Sequence, residues 1–450
     1  MQKFKLKTFP KGGVHPAENK LSAGSAVKVL PLPDRVIIPV VQHLGAPAEP
    51  VVQKGDSVVA GQLLARSKGF VSANIHSSVS GKIFRIEERF DASGYKRLSF
   101  VIDRKEDEWD PAIDRSDTLR ENITASREEI IQKIQDAGIV GMGGATFPTH
   151  IKLNVPKGKK ADILIINGVE CEPFLTADHR LMLEKSRELM TGIRILMKAL
   201  GVDQAVIGIE NNKPDAIELL AGLAEKEKGI TVQPLKVKYP QGGEKQLIKA
   251  ITGREVPSGG LPVDVGAVVH NVGTTLAAYE AVQKNKPLME RIVTVTGKSV
   301  KEPSNFLVRI GTPIAEVIEA AGGLPEDTGK VVLGGPMMGK AVSKLDIPVT
   351  KGTSGILIIP DSEAHRDPVQ PCIRCAKCVS VCPMGLEPYL LMSLGQLQLW
   401  EKARKERTLD CIECGSCSYV CPADRPLLDY IRLDKMRVGE LIRKEKKAVG

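Results

Sequence analysis

Cys372-Ile-Arg-Cys375-Ala-Lys-Cys378-Val-Ser-Val-Cys382-Pro383 and Cys411-Ile-Glu-Cys414-Gly-Ser-Cys417-Ser-Tyr-Val-Cys421-Pro422 are one pattern written twice. Each run reads C-x2-C-x2-C-x3-C-P. Three thiolates at this spacing wrap three corners of one cubane, and the fourth, ahead of proline, reaches the other cluster. The pattern therefore predicts two [4Fe–4S] clusters in a single folding unit. Cys372, Cys375, Cys378 and Cys421 bind one; Cys382, Cys411, Cys414 and Cys417 bind the other. Zinc is the competing reading, but a zinc ion takes four ligands and leaves no use for the further C-x2-C steps. Eight of the nine cysteines lie in these runs, which reads as metal ligation rather than disulfide bonding. Leu390, Leu391, Leu394, Leu397 and Leu399 fall near helical spacing between the runs and predict a packed helical insert. Residues 365–450 form the expected two-cluster domain.

The chain around this segment has 450 residues, room for about three domains. At 42% apolar and 26% charged residues it is neither wholly disordered nor collagen-like. The net charge of +9 raises nucleic acid as a partner. The basic residues are scattered among acids, however, and the dense run at 443–447 reads as a solvated end, so no nucleic acid is expected. A mildly positive surface suits an acidic redox partner or an anionic membrane face. The N-terminal Met1-Gln-Lys-Phe-Lys-Leu-Lys lacks an apolar leader, and no run approaches 18 apolar residues. The expectation is a cytosolic chain, or one peripheral on a cytosolic membrane face, with no span of its own.

Residues 1–35 read as irregular, with turns at Lys11-Gly-Gly-Val-His-Pro16. Residues 36–110 carry short strands and regular turns, the mark of a small barrel or sandwich. Lys54-Gly-Asp-Ser-Val-Val-Ala-Gly-Gln-Leu-Leu64 followed by Ser77-Ser-Val-Ser-Gly-Lys-Ile83 resembles the biotinyl/lipoyl barrel-sandwich fold. In that family a hairpin lysine carries the prosthetic group. Here the hairpin is short and Lys68 lacks the usual flanks, so a structural module is expected. Residues 106–125 are charged and read as a linker. From 120 to 288, strands at Ala161-Asp-Ile-Leu-Ile-Ile166 and Gln204-Ala-Val-Ile-Gly-Ile209 alternate with helices at 128–137, 180–200 and 213–228. That alternation predicts a doubly wound parallel sheet. Residues 289–360 turn β-rich again, and resemble the β-grasp-like SLBB domains of respiratory flavoproteins.

Ala137-Gly-Ile-Val-Gly141-Met-Gly143-Gly144-Ala-Thr-Phe147-Pro-Thr-His-Ile-Lys152 is a glycine-rich turn between a helix and an apolar segment. Successive N–H groups in such a turn form an anion nest. It is no Rossmann fingerprint, since Thr146 stands where G-x-G-x-x-G needs its third glycine. Alone the turn reads equally well as a tight connection. Its company raises it. The strand at 161–166 ends in Asn167-Gly-Val-Glu170-Cys171-Glu172-Pro173, and ligands bind at carboxyl ends of parallel strands. Tyr239-Pro-Gln-Gly-Gly-Glu244-Lys and Val269-His-Asn271-Val-Gly-Thr274-Thr follow.

Together these motifs resemble the FMN- and NADH-binding flavoprotein of respiratory complex I. With the barrel-sandwich, the SLBB-like segment and the double-cluster tail, the chain as a whole resembles the C-subunit family of Rnf electron-transport complexes. The resemblance implies a multidomain α/β protein: a barrel-sandwich β domain, a Rossmann-like flavin domain, a β-grasp SLBB-like domain and a helical ferredoxin-type domain. It implies non-covalent FMN at the turn with NAD(H) above it. Gly141, Gly143 and Gly144 would contact the flavin and Lys152 would neutralise its phosphate. Asn167 and Glu170 would face the ring or ribityl chain, and Asn271 and Thr274 the ribityl or phosphate. Phe147, Glu172 and Glu244 would lie near the nicotinamide dinucleotide, with Glu172 and Glu244 in catalytic roles. The chain departs from the complex I pattern at Val169, where that pattern is acidic, and at His270, where it has Asn. Most aromatics that clamp adenine in complex I, Phe147 apart, are missing. Cys171 lies outside the cluster runs and reads as a buried inert thiol. The implied partners are membrane-embedded and ferredoxin-like iron–sulfur subunits, with ferredoxin reached indirectly, and ion movement of Na+ or H+ in the partners. A cobalamin reductase of the propanediol-utilisation type shares these domains, and a non-enzymatic electron-transfer scaffold is the rival from another class.

Overall fold

The computed structural model describes residues 5–449, with side chains to residue 446, so residues 1–4, residue 450 and the side chains of 447–449, including Lys447 of the basic run, lie outside the described residues. Its central sheet is built on alternation. Four parallel strands stand in the order Ile230–Leu235, Ala205–Glu210, Ile163–Asn167, Ala267–Asn271. Leu164 and Ile166 point to one face, where helices Arg127–Asp136, Ser186–Leu200 and Val272–Lys284 cover them. Ile163 and Ile165 point to the other, under helix Glu244–Thr252. Each such aliphatic side chain contributes about 2 kcal/mol when fully buried. Helix ends follow local chemistry: Ser126 and Glu129 form a capping box, and Gly201 at φ 70° closes Ser186–Leu200. The long helix expected over 180–200 breaks at Lys185 into Ala177–Glu184 and Ser186–Leu200. The first piece begins at Ala177, which sets its N-terminal N–H groups against Glu170 beyond the strand end.

The unit preceding this sheet packs a four-stranded sheet (Arg35–Pro39, Lys96–Arg104, Gly81–Phe90, Ser57–Val58) against a three-stranded one (Glu49–Pro50, Leu63–Arg66, Ile75–His76). Val36, Ile38, Leu64, Ile75, Ile83, Phe100 and Ile102 fill the space between them. Lys68 is exposed and paired with Glu49.

Downstream lies a six-stranded sheet with helix Ile314–Glu319 over Val293, Val295, Phe306, Val308 and Ile356. Its outer strand is Val27–Val29, parallel to Ser304–Arg309, which corrects the reading of residues 1–35 as irregular. The N-terminal segment covers an edge whose N–H and C=O groups would otherwise stay unpaired. Nor is 106–125 a free linker. Lys284 donates through Nζ to Asp114 and to the carbonyls of Ser116 and Thr118, while Arg115 and Arg309 flank the Trp109 ring. Those contacts join residues some 170 positions apart in sequence, beyond any local pattern.

The C-terminal unit is helical: Pro388–Gln396, Trp400–Lys405 and Leu427–Val449. Leu391 and Leu394 are buried and Leu390 and Leu399 pack beside them, but Leu397 is exposed, against the expectation. It sits just past the end of Pro388–Gln396, where the helical face has turned to solvent. Among the described residues no helix is long and apolar enough to cross a membrane.

Candidate functional site

Strand order defines the crevice. The chain enters the sheet at Ile163–Asn167, adds Ala205–Glu210 and Ile230–Leu235 on one side, then returns to place Ala267–Asn271 on the other. A topological switch point thus opens between the carboxyl ends at Asn167 and Asn271, which are register partners. Asn271 caps helix Val272–Lys284, its side chain accepting from the Gly273 N–H at 2.8 Å.

The glycine turn lies over this point. The Met142 N–H donates to Thr274 Oγ1 at 2.9 Å, and the Gly141 N–H to the Phe147 carbonyl at 2.9 Å. A Cβ on Gly143 would come 3.0 Å from the Asn271 side chain, so glycine lets the backbone lie flat there. Gly143, Gly144 and Ala145 are exposed, and among the described residues their N–H groups have no protein acceptor. Three free donors at the switch point make a cradle that fits a phosphate-bearing cofactor such as FMN.

The remaining residues meet the crevice in different ways. Asn167 donates to the Gly242 carbonyl at 2.9 Å, tying its strand end to the loop that leads into helix Glu244–Thr252. Lys152 and Glu244, expected to serve different ligands, form one ion pair at 2.6 Å, with the Val269 carbonyl 3.2 Å from the same Nζ. Burial, helped by the Lys152 charge, pushes the neighbouring His270 down to about 3. Glu170, expected to face the flavin, turns its carboxylate onto the Asp178 and His179 N–H groups, 2.7 and 3.2 Å away, at the start of Ala177–Glu184. The positive end of that helix holds the anion in place. Phe147 is half-buried at the closure of the turn.

Glu172 faces the 335–337 segment of the SLBB-like unit. Its carboxylate accepts from the Met337 N–H at 3.2 Å, and burial pushes it up to about 7. The Tyr239 O–H lies 3.5 Å from Glu172 Oε1 but donates at 2.8 Å to the carbonyl of Cys414. Cys171 is half-buried beside it, accepting from the Gly242 N–H, and desolvation pushes its thiol far above the ordinary range. That fits the inert thiol expected from its position.

Three residues of the site lie beyond what the sequence pattern marks. Asp178 receives the Asn271 amide at 2.6 Å, and burial with the nearby Glu170 charge raises it to about 7. Tyr239 stands inside the motif that ends at Glu244, where the pattern assigns it no role. Lys20, in the N-terminal segment, donates to the carbonyls of Glu170, Glu172 and Leu175 at 2.7–2.8 Å. It holds a loop in which Glu170 and Phe174 adopt left-handed φ values of 46° and 70°. No local pattern marks a lysine 150 residues from its acceptor. Lys20→Met leaves three carbonyls without a donor, and is expected to cost roughly 3 kcal/mol. A thermal melt checks this; an unchanged midpoint refutes it.

The thiols divide into two sets. Cys382, Cys411, Cys414 and Cys417 line one cavity with Pro383, Leu386, Leu391 and Ile431. Burial pushes Cys411 up to about 11 and Cys417 to about 12, each also feeling the Cys382 and Cys414 sulfurs. Buried thiols of this kind become ligands only when a cation replaces their protons. The second set is shallower: Cys378 feels Cys421 and Cys375, while Cys372 and Cys375 are exposed. Among the described residues no three His, Cys, Asp or Glu side chains gather tightly around a single ion; the inner sulfurs ring a cavity instead. This grouping fits the crossed assignment of Cys382 and Cys421 to two clusters.

Comparison with known proteins matches four family descriptions along the chain: an RnfC barrel sandwich hybrid domain at 7–107, a Nuo51 FMN-binding domain at 134–280, an SLBB domain at 292–341 and a 4Fe-4S dicluster domain at 363–422. Among similar proteins is the C-subunit of a proton-translocating ferredoxin:NAD(+) oxidoreductase complex from Clostridium ljungdahlii, 49% identical over 90% of this chain and 88% of that one. The C-subunit of the Na(+)-translocating complex of Acetobacterium woodii is 46% identical over 89% and 90%. The C-subunit of an ion-translocating oxidoreductase complex from Rhodobacter capsulatus is 43% identical over 87% and 75%. An NAD+-reducing [NiFe]-hydrogenase in its H2-reduced state shares the fold, with a TM-score of 0.51 and 20% identity. That likeness covers 70% of this chain and 63% of the hydrogenase chain.

Proposed function

The chain belongs to the C-subunit family of ferredoxin:NAD(+) oxidoreductase complexes, and from that premise we propose that it is the subunit through which electrons pass between the complex and NAD(H). It is an oxidoreductase subunit with an FMN-binding domain and a dicluster iron–sulfur domain. When bound, FMN exchanges a hydride with NAD(H) and single electrons with the clusters, chemistry that side chains lack.

The protein's own residues hold, orient and insulate. The free N–H groups of Gly143, Gly144 and Ala145 bind phosphate oxygens, with Gly141 shaping the turn. Lys152 supplies the balancing charge when it exchanges Glu244 for the ligand. Asn167, Asn271 and Thr274 keep the floor of the crevice rigid, and Glu170 acts through the helix it caps. Phe147 and Glu244 border the dinucleotide. Glu172, poised near neutrality, takes up or releases a proton at its carboxylate. The doubly wound, Rossmann-like reading of the parallel sheet and the β-grasp reading of the six-stranded sheet belong to the same proposal.

The observation that carries this reading is the hydrogen bond, 2.8 Å long, from the Tyr239 hydroxyl of the nucleotide domain to the backbone carbonyl of Cys414 in the inner thiol set. The inner set abuts the nucleotide domain, and Cys372 and Cys375 of the outer set are exposed, so the clusters these thiols would hold would offer a route from the crevice through the inner to the outer site and on to a partner. The partners are the membrane-embedded and ferredoxin-like iron–sulfur subunits, which carry the Na+ or H+ translocation, and the chain sits peripherally on the cytoplasmic face. Purified chain reconstituted with iron, sulfide and FMN is expected to retain the flavin and to show its absorbance band bleached by NADH. Failure to retain flavin, or a band that NADH leaves intact, sinks the proposal.

A further inference from the structure

The barrel-sandwich unit carries one bare aromatic ring on a turn whose support is hydrogen-bonded to the glycine turn. Phe70 is 81% exposed at the tip of the turn between Leu63–Arg66 and Ile75–His76. Other exposed rings of this unit are covered by cations. Arg35 and Arg85 lie over Phe84, Lys96 and Lys344 over Phe90, and Arg97 over Tyr95. Among the described residues no cation lies over Phe70.

The turn that carries Phe70 is stiff. The Ser67 N–H donates to Asn74 Oδ1 at 2.8 Å, and the Lys68 N–H to Ser72 Oγ at 3.0 Å. The Ala46 N–H donates to the Val71 carbonyl at 2.9 Å, and Ser72 Oγ donates back to the Ala46 carbonyl at 3.0 Å. Gly45, at φ 115°, lies so close that a Cβ there would stand 2.1 Å from the Val71 oxygen. Two loops are thereby fused into one support.

That support is bolted to the glycine turn at two points. The Leu44 N–H donates to the Thr146 carbonyl at 3.2 Å. Behind it, buried Lys351 donates through Nζ to the carbonyls of Asn74 and Gly138, both at 2.7 Å. One ammonium thus ties the root of the Phe70 turn to the root of the glycine turn. An exposed aromatic held rigidly on a support tied to the glycine turn has little to gain from solvent and much from a flat partner.

We infer that Phe70, supplied by the barrel-sandwich unit, is the stacking platform for the adenine ring of NAD(H). The inference rests on the proposed function, in which FMN sits at residues 143–145 and the dinucleotide lies over it. The reacting end of the dinucleotide must lie inward at the switch point, which leaves the adenine end outward, where the Phe70 turn can meet it. Stacking needs only the π face of the base and so asks no hydrogen-bond pattern of the protein.

The test uses the full chain with its flavin and clusters restored. Phe70→Ala and Phe70→Tyr are compared with the unaltered chain for the KM of NADH, for turnover of reduced nicotinamide mononucleotide, which has no adenine, and for ADP-ribose binding by calorimetry. Base–aromatic stacking of about 1–3 kcal/mol corresponds to roughly 5- to 150-fold. Phe70→Ala is expected to weaken NADH and ADP-ribose about tenfold, with kcat and mononucleotide turnover unchanged and Phe70→Tyr near normal. An unchanged ADP-ribose affinity in Phe70→Ala, while the unaltered chain still oxidises NADH, overturns the inference and leaves the proposed function standing. The same result with lost co-purification of membrane subunits would assign Phe70 to a protein contact instead. An unaltered chain that binds neither flavin nor ADP-ribose overturns both.

Discussion

Cys382→Ala is expected to remove about half the cluster iron and to stop electron delivery beyond the flavin. Cys382 belongs to the first run in sequence but stands in the second cavity, among Cys411, Cys414 and Cys417. Its loss leaves three thiols around a site that needs four. That inner set is the one joined to the nucleotide crevice through Tyr239, so the outer thiols would be stranded from NAD(H). Buried Leu386, Leu391 and Ile431 share the same small core, and cluster loss would loosen it as metal binding and folding are coupled. Iron analysis and the reduced-cluster spectrum read the first part. NADH-driven reduction of a flavin-level dye should persist while reduction of a partner carrier falls to background. Full iron content in the variant would refute the crossed ligation.

Gly12→Val is the second large effect, and it acts from the opposite end of the chain. The turn Lys11-Gly-Gly-Val-His-Pro16 is wedged between the two redox units. The Gly13 N–H donates to the Val381 carbonyl, and Val14 exchanges both backbone hydrogen bonds with Tyr239, each at 2.8–2.9 Å. Gly12 itself has φ 67°, and a Cβ there would stand 2.6 Å from the backbone of Val381 and Cys382. A β-branched residue would meet left-handed strain of about 1–2 kcal/mol and overpacking of about 1–3 kcal/mol. Backbone atoms cannot swing aside as a side-chain tip can, so the cluster unit must shift. The expected result is near-normal flavin reduction by NADH, read by stopped flow, with slow onward reduction of the inner cluster. Onward reduction at the original rate would show that the wedge does not set the distance.

The same two residues show what could be read in advance. The dicluster domain was legible because its cysteines sit within a few residues of one another and thiolate chemistry leaves few alternatives at that spacing. The strands at 163–167 and 205–210 were legible from unbroken aliphatic runs, and the glycine turn from its composition. The wedge was not: Gly12 and Gly13 looked like any turn, since nothing local announces that their partners lie near residue 381. Lys152 and Glu244 each carried a plausible ligand role, yet they face one another across 92 residues. Glu170 stands at a strand end, as its motif suggests, but its direction depended on where helix Ala177–Glu184 begins.

The sequence by itself determined the iron–sulfur chemistry and the parallel sheet, because each depends on short-range spacing and hydrophobic period, while the flavin entered through the resemblance of whole motifs. Tertiary structure alone decided how the two cysteine runs connect to the rest. It set one thiol set inside, against Tyr239, and left the other at the surface. It also turned an apparently irregular N-terminus into an edge strand, a lysine clasp and a wedge. These are contacts between residues far apart in the chain, formed where buried backbone groups need partners, and such needs arise only once the units have packed.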